Sequence, residues 1–148
     1  MDTPEGLDGI TAAFGAPAGP FSSAGIVRLP APLKLGWEDK TISKFRCHVK
    51  VTDAFQAVFD EIHAEGLWPK LRTFDGCFND RPIKAGGKKS THAWGISVDL
   101  NAATNRQGKP GDMDPKIVLI FEKHGFLWGG HFSGVHRDDM HFQFAARY

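Results

Sequence analysis

The chain has 148 residues, a formal net charge of +1, a hydrophobic fraction of 41% and twelve phenylalanines. This length and composition predict one folded domain, residues 1–148, and argue against disorder. The balanced charge gives no electrostatic basis for binding nucleic acid, and no apolar run approaches the roughly eighteen residues that a membrane span needs. Met1 to Glu5 lack the basic start and apolar core of a signal peptide, so we expect no export signal.

The first half of the chain predicts two helices joined by extended segments. Thr3 is the predicted N-cap of a short amphipathic helix that Gly15 ends. Residues 16–32 are rich in proline and glycine and predict an extended arm over the surface. A strand is predicted over 45–51, and apolar residues at helical spacing predict the clearest helix over 52–66.

The second half predicts short strands and one further helix. The strands are predicted over 71–78, 96–100, 127–130 and 140–144, with a mobile loop over 83–90, a polar loop over 101–111 and a helix over 114–125. Without a steady strand-helix-strand rhythm, this order predicts an α+β fold with a small antiparallel sheet and flanking helices. Cys47 and Cys77 are too few and too widely spaced for a zinc knuckle, and we interpret them as reduced core residues.

The stretch from Ser90 to Asp99 contains two candidate metal ligands. Asp99 lies on the polar face of an alternating strand, and His92 lies on the chain that enters this strand. Gly95 between them accepts backbone conformations closed to other residues, so His92 can turn back toward Asp99. The two side chains can therefore converge on one ion.

A third candidate ligand, His141, lies on the polar face of the strand predicted near the C-terminus. His92, Asp99 and His141 would form a three-ligand set with a fourth position left for water, as in catalytic zinc sites. Asp138, three residues before His141, could lie beside the metal as a general base and then an acid. On spacing alone, an ordinary strand histidine and a strand-end acid explain His141 and Asp99 equally well.

Two motifs enclose these residues: Ser90-x-His92-x-x-Gly95-x-Ser97-x-Asp99 and Asp138-x-x-His141-Phe142. Together they resemble the signature of the D-alanyl-D-alanine carboxypeptidase and L-alanyl-D-glutamate endopeptidase family of zinc peptidases, which shares its fold with the hedgehog signalling domain. Ser97 stands where this family usually has alanine. Asp138 stands where the dipeptidase branch has glutamate. Aspartate at this position is similar to the phage endolysin branch.

The resemblance implies roles for several residues. It implies one zinc ion held by His92, Asp99 and His141, with Asp138 as the proton-transferring group. The family uses an arginine upstream of the first histidine to stabilise the oxyanion, and Arg81 is placed for this role, with Arg72 as the competitor. Candidate substrate-binding residues are Ser90, Trp94, Trp128 and Arg72.

The implied function is zinc-dependent hydrolysis of peptidoglycan stem peptides, in particular an endolysin-like L-alanyl-D-glutamate endopeptidase. The enzymatic alternative is a D-alanyl-D-alanine carboxypeptidase or dipeptidase, and the alternative of another class is an inactive zinc-binding interaction module. We expect a monomer that binds peptidoglycan stem peptides and neither nucleic acid nor membrane. It would remain in the cytoplasm until it is released to the cell wall.

Overall fold

The computed structural model describes residues 1–80 and 88–148, and this part of the chain has an α+β fold with two three-stranded sheets. The helices are α1 (Gly6–Phe14), α2 (Thr52–Ala64) and α3 (Pro115–Lys123), and the strands are β1 (Gly25–Leu35), β2 (Thr41–Cys47), β3 (Thr73–Phe74), β4 (Ser97–Asp99), β5 (Leu127–Trp128) and β6 (His141–Gln143). The predicted fold class is confirmed, although two sheets replace the single predicted one. No helix within the described ranges is long and apolar enough to cross a membrane.

The two later helices form as their sequences predict. The apolar stripe of α2 is buried, and its centre is Phe55 and Phe59. Asp114 caps α3 by accepting a hydrogen bond from the Lys116 backbone N–H at 2.8 Å. Leu119, expected to be largely buried, is exposed because it lies on the outer face of α3.

The predicted extended arm over 16–32 is wrong from Gly25 onward, where the chain forms β1. Alternate residues of β1, including Val27 and Leu35, are buried, which is the period of a half-buried strand. Two of the prolines that suggested an arm, Pro30 and Pro32, lie within an irregularity of the β1–β2 register, between Arg28 and Leu33. A break in the ladder tolerates proline because no N–H is required there.

The N-terminal helix begins later than predicted. Glu5 is the residue before α1, and Thr3 donates a hydrogen bond from its hydroxyl to the Gly125 carbonyl at 2.6 Å instead of capping the helix. The same segment is bonded to the end of the chain, since Gly6 N–H donates to the Ala146 carbonyl at 2.7 Å. Tertiary bonding therefore overrides the local capping signal.

The strand predicted over 71–78 is reduced to the two residues of β3, because the chain crosses to the second sheet there. Leu35 pairs with Phe74 in the first sheet. One residue later, Asp75 N–H donates to the Asp99 carbonyl at 2.8 Å, and Asp99 N–H donates to the Gly76 carbonyl at 3.0 Å. Residues 73–76 thus link the first sheet to β4.

The second sheet has the strand order β4-β6-β5 and is antiparallel throughout. Asp99 lies opposite His141 in the β4–β6 register, and Ser97 lies opposite Gln143. The other face of β6 belongs to the core, where the Phe142 ring stacks on Phe121 of α3 with the centroids 3.9 Å apart. The alternation of polar and apolar residues predicted one buried face for β4 and for β6. In the structure both faces of each strand are buried.

Gly95 makes the turn that leads into β4. Its φ is +71°, a left-handed conformation that costs other residues about 1–2 kcal/mol. A Cβ here would also lie 1.9 Å from the Ser22 carbonyl oxygen and 2.8 Å from the His48 nitrogen. Both contacts are with backbone, so they cannot be relieved by a rotamer change.

We predict that Gly95→Ala lowers the free energy of unfolding by roughly 2–5 kcal/mol, the sum of the left-handed strain and the overpacking. Gly66→Ala is the matched control, because Gly66 has a φ of +73° and nothing within 4 Å of its Cβ position. It isolates the strain and should lose about 1–2 kcal/mol. Urea unfolding measures both variants, and equal losses would show that the contact with Ser22 does not matter.

Candidate metal centre and substrate cleft

His92 is held in a fixed ring orientation by its own segment. A short 3-10 turn, Thr91–Trp94, carries it, and the Ser90 hydroxyl caps this turn by accepting from the His92 N–H at 3.2 Å. The Nδ1–H of His92 donates to the Cys77 carbonyl at 2.6 Å. This bond leaves Nε2 as the nitrogen with a lone pair, directed at the centre of the site.

The buried Nε2 of His92 has no hydrogen bond to any described residue. It lies 3.1 Å from Asp99 Oδ2, but the approach lacks hydrogen-bond geometry. An unpaired buried nitrogen is costly unless something else binds its lone pair.

Asp99 and His141 meet across the β4–β6 pair. The second carboxylate oxygen of Asp99, Oδ1, lies 3.0 Å from His141 Nδ1. The other ring nitrogen, Nε2, lies 2.9 Å from the Gln143 side-chain carbonyl. If Nε2–H donates to Gln143, then Nδ1 presents its lone pair beside Asp99.

The Gln143 amide has its own fixed orientation. Its NH₂ group donates to the Ala145 carbonyl at 3.0 Å, so the amide oxygen must face His141. The same oxygen accepts from the Thr91 hydroxyl at 3.3 Å, and Thr91 is in turn 3.0 Å from the Ser97 hydroxyl. A flipped amide would lose the Ala145 bond and place N–H groups against the ring N–H.

These contacts make His92, Asp99 and His141 a group that could hold a metal ion. One ligand atom from each lies within 4.8 Å of the others, and all three residues are buried. Two imidazoles and a carboxylate suit zinc, and each histidine has a carbonyl partner on its other nitrogen, as metal-bound histidines usually do. The unpaired nitrogen of His92 supports the fit.

The charges of the group favour an ionised carboxylate. Burial alone would raise the pKa of Asp99, but the neighbouring His92 and His141 outweigh burial and hold this pKa well below its usual range. Burial would lower the pKa of His141, whereas the hydrogen bond and charge of Asp99 raise it above its usual value. Burial also raises the pKa of the Cys77 thiol, which stays protonated and donates to the Gly95 carbonyl.

The group lies in an open cleft of about 1200 Å³, and Asp138 lines the same cleft. The backbone of Asp138 is fixed on both sides. Its N–H donates to the Gly129 carbonyl at 2.9 Å, and its carbonyl accepts from the His141 N–H at 3.0 Å. Gly129 is required at this approach, because a Cβ would lie 2.3 Å from the Asp138 carbonyl oxygen.

The structure bears on only one of the two candidate arginines. Arg81 lies outside the described residues. Arg72 does not line the cleft; its guanidinium binds Asp112 at 2.9 Å and donates to the Thr104 hydroxyl. Stabilisation of the oxyanion therefore stays a prediction for Arg81. Arg72 is instead paired with Asp112.

The predicted substrate-binding residues fall in three different places. Ser90 is buried and lines the cleft while it caps the 3-10 turn. Trp94 is buried in the core, and its indole N–H donates to the Gly15 carbonyl at 2.9 Å. Trp128 donates to the Asp139 carbonyl at 2.8 Å and lines a separate small apolar hollow beside α3. Neither tryptophan lines the cleft.

Two features of the site were missed by the sequence analysis. Gln143 and Thr91 support His141, and the alternation that put Gln143 on the polar face of β6 was the available signal. Asp139, to which the sequence analysis gave no role, is buried and bonded to Arg137 through two contacts of 2.8 and 3.1 Å. It also accepts from the Gly111 N–H at 2.8 Å.

The cleft and its buried His-Asp-His group define a candidate metal site. Residues 84–144 match the sequence model of a family described as D-alanyl-D-alanine carboxypeptidase, a family of zinc peptidases. The match spans both histidines, Asp99 and Asp138, and it confirms the family resemblance for this part of the chain. None of the curated proteins compared with the chain matches it.

We predict that Gln143→Leu weakens zinc binding about 10–100-fold, the usual cost of losing an outer partner of a metal-bound histidine. Without the amide oxygen, His141 no longer has a fixed tautomer. Gln143→Glu keeps an acceptor for His141 but loses the donor to Ala145, so it should retain more of the affinity than Gln143→Leu. Chelator competition measures zinc binding, and nitrogen chemical shifts of His141 report the tautomer.

Equal zinc affinity in Gln143→Leu and the unchanged protein would contradict this role for Gln143. Loss of affinity in both variants, with an unchanged His141 tautomer, would indicate a packing effect instead.

Proposed function

We propose that the protein is a zinc-dependent peptidase that hydrolyses peptide bonds in bacterial peptidoglycan stem peptides. The bond that we assign is L-alanyl-D-glutamate, as in phage endolysins. The observation that carries the proposal is the buried group of His92, Asp99 and His141 at the base of a cleft that Asp138 also lines. The cleft volume of about 1200 Å³ exceeds the roughly 300–1,000 Å³ of small-molecule sites, so it has room for several residues of a peptide.

Zinc bound to His92 Nε2, Asp99 and His141 Nδ1 would supply Lewis acidity, which acidifies water and polarises a substrate carbonyl. The residues around it perform the positioning. Cys77 and Gln143 hold the two imidazoles with their lone pairs toward Asp99. Because the three residues are buried and line the cleft, the cleft is the route among the described residues by which a peptide can reach them.

Asp138 is the group that we assign to proton transfer. It accepts a proton as the oxygen of water forms its bond to the carbonyl carbon. The carbon–nitrogen bond then breaks, and Asp138 returns the proton to the leaving amine. The negative charge of Asp138 also raises the pKa of His141, which places the carboxylate within electrostatic reach of the ligand group.

A D-alanyl-D-alanine carboxypeptidase is the second candidate, because the matching family model carries that description. The choice of the endopeptidase rests on aspartate, not glutamate, at position 138. An inactive zinc-binding module is less consistent with an acidic residue that lines the cleft and is held by backbone bonds on both sides.

Digestion of purified peptidoglycan, followed by mass spectrometry of the fragments, tests the activity and the bond together. We expect new N-terminal D-glutamate on released stem peptides. Release of D-alanine alone would identify the carboxypeptidase. If the zinc-loaded protein releases neither product, the enzymatic proposal is wrong.

We predict that Asp138→Asn lowers hydrolysis by roughly 10²–10⁴-fold, the usual contribution of a positioned acid–base group. Zinc content and melting temperature should change little, because Asp138 is not assigned as a ligand. Asp39→Asn is the control for loss of one carboxylate, since Asp39 is fully exposed and outside the cleft. Asp139→Asn does not serve, because it breaks the buried contacts to Arg137 and Gly111.

We also predict about one zinc ion per chain in protein purified without added metal. His92→Ala and His141→Ala should each lose most of this zinc, because each removes one of three ligands. His63→Ala is the matched control, since His63 is an exposed histidine of α2. Elemental analysis of the purified variants measures the metal, and full retention in both ligand variants would exclude the assigned site.

A further inference from the structure

Three cationic side chains line the cleft without a carboxylate partner in the described parts of the chain. They are Lys88, Arg106 and Lys109. The ammonium of Lys88 lies 4.2 Å from the centre of the Tyr148 ring, whereas Arg106 and Lys109 are exposed on the loop between Asn105 and Asp112. By contrast, Arg72 and Arg137 just outside the cleft are both paired with aspartates.

The loop that carries Arg106 and Lys109 is closed at its base by a buried amide. The side-chain oxygen of Asn105 accepts from the N–H groups of Asp112 and Met113, each at 2.9 Å. Its NH₂ group donates to the Asn101 carbonyl at 3.0 Å. Asn105 is fully buried, so the two ends of the loop are fixed to each other.

The outer part of the loop is bonded to the two neighbours of Asp138. Gly108 N–H donates to the Arg137 carbonyl at 2.6 Å, and Gly111 N–H donates to the Asp139 carboxylate at 2.8 Å. Arg137 and Asp139 are themselves joined by an ion pair of 2.8 Å. The loop backbone therefore has a fixed position beside the carboxylate that we assign to proton transfer.

We propose that Arg106 and Lys109 form a subsite that binds a substrate carboxylate next to the scissile bond. This inference rests on the proposed function and specifies its substrate. The buried Asn105 and the buried carboxylate of Asp139 fix the backbone of this exposed loop, whereas its two cations bind none of the described carboxylates. The anion that Arg106 and Lys109 bind is then part of a molecule that enters the cleft.

The substrate chemistry fits this position. In an L-alanyl-D-glutamyl bond linked onward through the side chain, the D-glutamyl residue keeps a free carboxylate on the carbon attached to the scissile nitrogen. Asp138 must come close to that nitrogen to return its proton, so two negative groups approach each other there. Cations on the adjoining loop offset this repulsion.

Paired synthetic stem peptides test the subsite. One peptide carries D-glutamate with the free carboxylate, and the other carries the corresponding amide, D-isoglutamine. We expect the unchanged zinc-loaded protein to prefer the acid, through a lower KM. The double variant Arg106→Gln/Lys109→Gln should raise KM for the acid roughly tenfold and change it less than about twofold for the amide, with kcat largely retained.

Lys116→Gln is the matched control, because Lys116 is an exposed cation of α3 outside the cleft. Added salt should narrow the preference of the unchanged protein for the acid. If the double variant changes KM equally for both peptides, or not at all, the subsite is wrong. Cleavage by the unchanged protein would still uphold the proposed function. If the unchanged protein cleaves neither peptide, the proposed endopeptidase function is wrong and the subsite with it.

Discussion

The contact between Asp99 and His141 across β4 and β6 is the one on which the site depends. Each residue lies on a strand of only three residues, so neither strand is stable alone. Their antiparallel pairing puts the carboxylate and the imidazole directly opposite each other with 3.0 Å between them. A one-residue slip in this register would send His141 to the opposite face and leave Asp99 buried without it.

The third member of the group comes from outside the sheet, and this explains the backbone chemistry around it. His92 precedes β4 and reaches Asp99 only because Gly95 turns the chain with a positive φ against the Ser22 carbonyl. The Cys77 carbonyl binds Nδ1 of His92, and the Gln143 side chain binds Nε2 of His141. The nitrogens that remain to face the centre are therefore Nε2 of His92 and Nδ1 of His141. The supporting acceptors decide which nitrogen is available.

Much of the site was predictable because alternation on a strand assigns faces without any knowledge of the fold. Asp99 and His141 could be placed on polar faces, and Gly95 indicated the turn that brings His92 back. Sequence alone could not show that the polar faces are buried against each other, which is what makes Gln143 a support and not a surface residue. The period-2 pattern of β1 was also visible, but its prolines obscured it.

Other predictions failed because they concerned partners far apart in the chain. Thr3 had the chemistry of a helix cap, yet the Gly125 carbonyl, more than a hundred residues away, takes its hydroxyl. Trp94 was a predicted substrate-binding residue, but it lies in the core, where its indole N–H donates to the Gly15 carbonyl. Asp139 was given no role, yet its buried carboxylate accepts a hydrogen bond from Gly111 on a distant loop. Local patterns indicate what a side chain can do, whereas the fold decides where it is used.

The stacking of Phe142 on Phe121 has an evolutionary consequence. Phe142 follows the candidate ligand His141 on a three-residue strand, so a backbone shift that repositions its ring also moves His141. Substitutions of Phe121 in α3 are therefore limited by how far His141 can move, although Phe121 is not among the residues that form the site. Divergent homologues should retain a flat aromatic pair at these two positions, or change both together.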